Sequence, residues 1–370
     1  MPIELRAWLN PQSYSNSYST AGLAREAAYF TPVPEPVTAD PGYISAEARE
    51  YEAAGYDSAI WPQSATWPDV TVTATWALAR TERLRVVLAH RPGTQAPTAA
   101  ARALATLDRV SAGRTGLHLI LGSGADLPRD GDHADRDARY RRAAEYLEIF
   151  TGVLGRDQPF DFDGEFYRVR GAYSGVKPVQ TPRPPISLPA ESDDGIALAA
   201  RYADVLAFHG TARAAAAAKI ATARALAGER DLRFWINLNM VAGETDEAAR
   251  QHVRELEQAI RTLQEFRSGG QVKVRSIRED RFADLDSGAG PWQDEALYLG
   301  LTALSRATPA LVGSPSTIAD AVLAYHDLGI GVVSLGSHVT SAAAAELRRE
   351  TLRLIRQAVT VRDAAPKRAA

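Results

Sequence analysis

Short apolar runs alternate with longer stretches whose apolar positions recur every three or four residues. Runs at 3–9, 57–61, 84–90, 117–121, 185–188, 205–209, 234–241 and 332–335 have the length and flanking turn residues of buried strands. Helical spacing fills most of the intervals, at 44–54, through Trp76 and Leu78, and at 96–110, 140–154, 193–201, 211–226, 245–263, 297–304, 317–328 and 341–361. Gly55 and Gly329 stand where helix ends are expected, and Thr211 and Thr245 where N-caps are expected. Asp163-Gly164 marks a hairpin within 160–170. Residues 12–39 are polar and lack clear periodicity, and 266–292 is irregular, with a basic half before an acidic half.

Eight strands separated mostly by helices predict a parallel sheet closed into a (β/α)8 TIM barrel, an α/β fold. An open doubly wound sheet is the runner-up, but it wants G-x-G-x-x-G near the first strand, and none is present. The expected organisation is one barrel domain over 1–362, with insertions at about 12–40, 155–182 and 266–292, and a basic tail at 363–370. The 266–292 insertion reads equally as a lid over a bound ligand or as a solvated surface segment.

Composition narrows the chemistry. A chain of 370 residues, 45% hydrophobic, can bury a large core. A net charge of −3 argues against a nucleic-acid partner held by bulk electrostatics. With no cysteine there are no disulfides, thiolate metal sites or cysteine nucleophiles, and the seven histidines lack metal-ligand spacing. No apolar run reaches membrane-span length and the N-terminus lacks a signal-peptide pattern. The expectation is a cytoplasmic protein with no metal and no membrane or nucleic-acid partner.

In a barrel of this kind, chemistry collects at the C-terminal ends of the strands. Asn10, His209, Asn237, Asn239, Ser337 and His338 are the polar candidates there. His209 is the first choice for proton transfer or orientation, with a satisfied structural histidine as the alternative. Asn237 and Asn239 share one strand face and could orient a substrate or ring edge. Trp8, Trp61, Trp67 and Trp235 lie at or near strand ends, where they could line a substrate pocket or simply pack the core. Residues 117–154 combine strand, Gly122-Ser123-Gly124 turn, charged loop and amphipathic helix, the layout of a site-bearing loop.

That stretch also carries a resemblance. Gly122-Ser123, then Asp132-His133, then R-Y-x-R-x-x-E-Y from Arg139 to Tyr146 resemble the bacterial luciferase-like flavin monooxygenases, most nearly the alkanesulfonate monooxygenase branch. Further matches are ATLDRVSAGR at 105–114, LAHRPGTQAP at 88–97 and ALVGSPSTIADAVLAYHDLGIGVVSL at 310–335. The resemblance spans roughly 40–360 and implies a two-component enzyme. Reduced FMN from a separate flavin reductase would react with O₂ to a C4a-peroxyflavin, which oxygenates a small organic substrate. It also implies a homodimer or homotetramer. Carried over residue by residue, the flavin contacts are Ala89 and His90 under the ring, Gly122 and Ser123 after the fourth strand, Tyr140 near the ribityl phosphate, and Ala190, Glu191 and Ser192 before a helix start suited to phosphate. Glu191 departs from the small residue expected, and its carboxylate must point away from a phosphate. The alkanesulfonate branch has arginine and histidine where Asn237 and Asn239 stand, cysteine on the loop of Trp67, tyrosine near Ser337, and arginine in place of Leu304. Bidentate capture of a sulfonate is thereby weakened, which implies a less acidic substrate. An F420-dependent oxidoreductase on the same barrel and a non-catalytic flavin-binding protein are the alternatives.

Overall fold

Eight parallel strands close on one another. They are β1 (Glu4–Trp8), β2 (Ser58–Trp61), β3 (Arg85–His90), β4 (Thr115–Leu119), β7 (Ile186–Pro189), β8 (Val205–His209), β9 (Arg233–Ala242) and β13 (Ile330–Gly336). Each pairs with the next in that order, β8 with β9, β9 with β13, and β13 back to β1. These are the eight runs read from the pattern, closed as a (β/α)8 barrel. The structure is a computed structural model, and it describes residues 2–9, 22–30, 39–122, 126–268, 290–305, 307–337 and 339–364.

Helices α2 (Pro41–Ala54), α3 (Val70–Leu78), α4 (Pro97–Val110), α6 (Arg136–Gly155), α7 (Asp193–Tyr202), α8 (Arg213–Ala227), α9 (Asp246–Ser268), α11 (Pro315–Asp327) and α12 (Ala342–Ala364) run among and after the strands. Side-chain alternation divides the core in two. Ile60, Val87, Val205, Ala207, Trp235 and Val332 meet in the lumen, with Trp8 against them. Their strand neighbours Trp61, Leu88, Leu206, Phe208, Phe234, Ile236 and Val333 pack outward under the helices. This is the period-two rule of a strand applied to a closed sheet.

Helices that start at the strand C-terminal end are capped by local side chains. Asp69 accepts from Val72 N–H, Asp135 from Ala138 N–H, Ser192 from Gly195 N–H and Ser314 from Thr317 N–H. Ser314 thereby caps α11. Thr211 does not cap α8. The helix begins later, with Ala212 at the cap, and the Arg213 N–H is satisfied from a distant loop by Asp294 Oδ2 at 2.9 Å. Thr245 does cap its helix, accepting from Ala248 N–H at 3.1 Å.

Several segments differ from expectation for reasons of tertiary pairing. Residues 12–39 contain α1 (Leu23–Phe30), which packs Ala27 and Phe30 against Val253, Leu256 and Ile260 of α9. The charged loop after β4 contains a short turn of helix, α5 (Asp126–Arg129). Leu297 opens a strand, β11 (Leu297–Tyr298), before the helix α10 (Gly300–Ser305). β11 pairs antiparallel with β10 (Trp292–Gln293) and with β12 (Ala310–Gly313), and β12 lies parallel to the outer half of β9. An apolar run of four residues does not reveal such pairing. The hairpin β5 (Phe160–Asp163) and β6 (Arg168–Ala172) forms as expected. Of the 266–292 insertion, residues 269–289 fall outside the described residues, as does the tail from 365 on.

Asp108 illustrates how the helices are tied down. It is fully buried at the end of α4. Its carboxylate accepts from Thr115 Oγ1 and Gln180 Nε2 at 2.7 Å each, and from the N–H groups of Val179 and Gln180 at 2.7 and 3.0 Å. Asp108→Ala strands these buried donors and is expected to cost about 3 kcal/mol, read by urea unfolding; an unchanged midpoint would refute the anchoring role.

A pH effect attaches to α1. Glu26 receives a hydrogen bond from His252 of α9 at 2.9 Å, which raises the imidazole above its ordinary 6.5. The stabilising contribution is full below pH 6.5 and is lost as pH rises through the raised value. The protection of amides 23–30, corrected for the intrinsic pH dependence of exchange, is expected to fall between pH 6 and 8, and His252→Gln is expected to abolish that trend.

Candidate active site

The lumen below the barrel mouth is polar on several strands. Trp235 sits inside it, its Nε1 donating to Ser334 Oγ at 2.7 Å. The Arg6 guanidinium lies over the indole at 4.1 Å, and the His118 ring meets it edge-on at 4.8 Å. His118 also shares a 2.9 Å hydrogen bond with Ser187 Oγ. Burial, then Arg6 and His209, pull the His118 imidazole down to about 3, so it is neutral at ordinary pH.

Higher in the lumen, His209 and Asn237 are register partners across β8 and β9, and Asn237 pairs on its other side with Ser334. Asn239 follows two residues on. Its Oδ1 accepts from Tyr29 Oη at 3.2 Å and its Nδ2 donates to Thr308 O at 2.7 Å. Both ends of that amide are engaged by protein, which makes Asn239 a positioning residue that clamps α1 to the barrel rim. Gly336 has room for no side chain: a Cβ there would stand 2.6 Å from Asn239 Oδ1 and 2.7 Å from Tyr29 Oη. The same spot is 3.6 Å from the Trp8 Cβ. Trp8, Tyr29 and Asn239 therefore converge at one side of the mouth, with Ala89 of β3 on the same inward parity as Val87.

A second cluster lies at the start of α7. Ser192 Oγ is 3.3 Å from Tyr140 Oη and receives a hydrogen bond from Arg136 Nη2 at 3.1 Å. The Arg136 guanidinium rests over the Tyr140 ring at 4.8 Å and reaches Asp194 at 2.8 Å. Ala190 is buried directly before, its N–H bound to Ala207 O at 2.8 Å. Glu191 turns away from the helix start. Its carboxylate accepts the His209 N–H at 2.7 Å and pairs with Lys219. Burial works to raise this carboxyl, but His209 and Lys219 together hold it below the ordinary value. The Glu191 charge thus faces α8, while Asp193 and Asp194 stand in the first turn of α7. The donor set of a hydroxyl, a phenol, a guanidinium and a helix N-terminus suits a phosphate monoester.

The remaining candidates are placed as follows. Trp61 is fully buried on the outer side of β2, among the residues under the helices. His90 also turns outward, its Nε2 2.5 Å from Tyr146 Oη of α6. Burial and Arg91 draw that imidazole down to about 4, so only its backbone is available to the mouth. Gly122 has φ +77, and a Cβ there would meet Leu127 and Arg91 at 2.6 and 2.7 Å. Its bare Cα is required by the packing of the charged loop, which Arg91–Asp130 and Arg142–Asp132 hold down. Trp67 lies in the loop after β2 and lines a cavity of about 320 Å³ with Gln63, Asp69, Gly93 and Asp130. Ser337 is half-buried just past β13. Asn10, Ser123 and His338 lie outside the described residues.

Arg6, His118, Ser187, Tyr29 and Arg136 escaped sequence reasoning. The signal for three of them was parity. A polar residue alternating with apolar ones inside a barrel strand, as in Thr115–Leu119, faces the lumen. Nothing local marked Tyr29. Among the described residues no cluster of His, Asp or Glu could hold a metal ion, and no helix is long and apolar enough to cross a membrane.

The fold has counterparts among known proteins. The family model described as luciferase-like monooxygenase matches residues 21–331. The EDTA monooxygenase from Chelativorans sp. BNC1 is similar in structure, with TM-score 0.70 and 19% identity over 100% of this chain and 96% of that one. The oxygenating constituent of 3,6-diketocamphane monooxygenase from the CAM plasmid of Pseudomonas putida, solved in complex with FMN, gives 0.68 and 18% over 99% and 100%. An F420-dependent secondary alcohol dehydrogenase gives 0.66 and 15% over 96% and 99%. At such identities the likeness speaks for the fold alone.

Proposed function

Because the chain belongs to the luciferase-like monooxygenase family, we propose that it uses reduced FMN and O₂ to insert one oxygen atom into a small organic substrate at the barrel mouth. The observation that carries the choice of FMN is the cluster of Arg136, Tyr140 and Ser192 at the start of α7. These three side chains, with the helix N-terminus, would hold the phosphate. When bound, the flavin would supply the electrons that activate O₂. A separate reductase would deliver it reduced.

The chain's own residues have other tasks. Trp8 and Trp235, with Ile60, Val87 and Val332 beside them, would keep water from the mouth. His209 and Asn237, side by side on β8 and β9, face the space where a ring and substrate would meet and would orient them or move a proton. Asn239 and Tyr29 fix the rim. Neither Asn237 nor Asn239 offers the positive charge that would pair with a sulfonate, which favours a neutral substrate.

The family fold also carries F420-dependent hydride transfer, as in the secondary alcohol dehydrogenase above, so the two readings need separating. Turnover with reduced FMN and ¹⁸O₂ across a panel of neutral substrates is expected to place one ¹⁸O in the product. Product formed without O₂, with electrons passed to F420, would overturn the proposal.

A further inference from the structure

The opposite end of the barrel carries an arrangement that chemistry at the mouth does not use. Glu4 and Arg6 of β1, Arg85 opening β3 and Arg233 opening β9 line one cavity at the strand N-termini, with Thr115 and Ser187 beside them. Its free space is about 20 Å³, enough for one water or one monatomic ion and too small for sulfate or phosphate.

The charges in this cavity do not balance. Glu4 Oε1 takes hydrogen bonds from Arg6 Nη2 at 2.6 Å and Ser58 Oγ at 2.7 Å. Its Oε2 lies 3.1 Å from Arg85 Nη2 and 3.5 Å from Arg233 Nη2. One carboxylate thus answers three guanidinium groups. Neighbouring carboxylates at this end are engaged elsewhere, Asp57 with Arg356 and Asp204 with Arg183. Arg6 is 4% exposed, with Nε bound to Ser58 and Nη2 to Glu4, while its Nη1 is buried with no acceptor in the protein. A buried guanidinium nitrogen without an acceptor is costly, and the nearby like charges add to that cost.

We propose that this cavity is a halide site, in which one chloride ion bridges Arg6 Nη1 to Arg85 and Arg233. A monatomic anion matches the space, the net positive charge and the orphaned donor together. It would also fix Arg6, whose guanidinium supports Trp235 from below.

Bromide tests the site directly. Crystals of the full chain soaked in bromide are expected to show an anomalous peak within hydrogen-bonding distance of Arg6 Nη1. In solution, with ionic strength held constant by gluconate, chloride is expected to raise the unfolding midpoint saturably. Arg233 is partly exposed at the rim, so Arg233→Gln is expected to fold and to weaken chloride binding about tenfold. Absence of bromide from the cavity, a bound water only, or a non-saturating salt response shared by wild type and variant would overturn the proposal.

Discussion

Removing Arg136 and Ser192 together is expected to weaken binding of reduced FMN about a thousandfold, the combined loss of roughly 4 kcal/mol from two hydrogen bonds to a charged group. The expectation rests on geometry. Ser192 caps α7, receives the Arg136 guanidinium at 3.1 Å and stands 3.3 Å from Tyr140 Oη. Arg136 is half-exposed and its bonds run to surface partners, so Arg136→Ala with Ser192→Ala should leave the barrel folded. Reduced riboflavin provides the control. Lacking the phosphate, it should bind wild type and variant alike. Equal FMN affinity in the two proteins would place the phosphate elsewhere.

The second large effect is acid sensitivity. Burial first, with Arg6 and His209 for His118 and Arg91 for His90, lowers the two imidazoles from 6.5 to about 3 and about 4. The unfolded chain takes up both protons near pH 6.5, whereas the folded chain resists them. The unfolded state therefore binds more protons below 6.5, and stability falls with pH there, levelling only near 3 to 4. Each histidine contributes a slope of up to about 1.4 kcal/mol per pH unit, so roughly 4 kcal/mol is lost between pH 7.5 and 5. The double variant His90→Gln with His118→Asn is expected to flatten the profile by that amount relative to wild type, as read by urea unfolding at each pH. Parallel profiles would mean that neither histidine is held neutral.

The architecture was legible because each barrel strand is a short apolar run with helical spacing after it. Eight repeats have few ways to bury both sheet faces, and closure is the simplest. The mouth was less legible because strand ends do not show which parity faces inward. Ile60 and Trp61 differ by one residue, yet Ile60 enters the lumen and Trp61 packs under helices. His118 sits in an apolar strand, and only its alternation with Leu117 and Leu119 aims it inward. α1 was invisible for another reason. Its apolar residues find their partners on α9, over 200 positions away, and short-range periodicity records nothing of that. Glu191 shows the reverse case, where chemistry demanded an orientation and the Lys219 pairing supplies it.

The central claim, a barrel mouth built for reduced FMN with its phosphate at the start of α7, is tested most directly by anaerobic titration of the purified chain with reduced FMN, reduced riboflavin and reduced F420. Saturable binding of reduced FMN, much weaker binding of reduced riboflavin and no competition from F420 is the expected result. Riboflavin binding as tightly as FMN, or F420 displacing FMN, would contradict it.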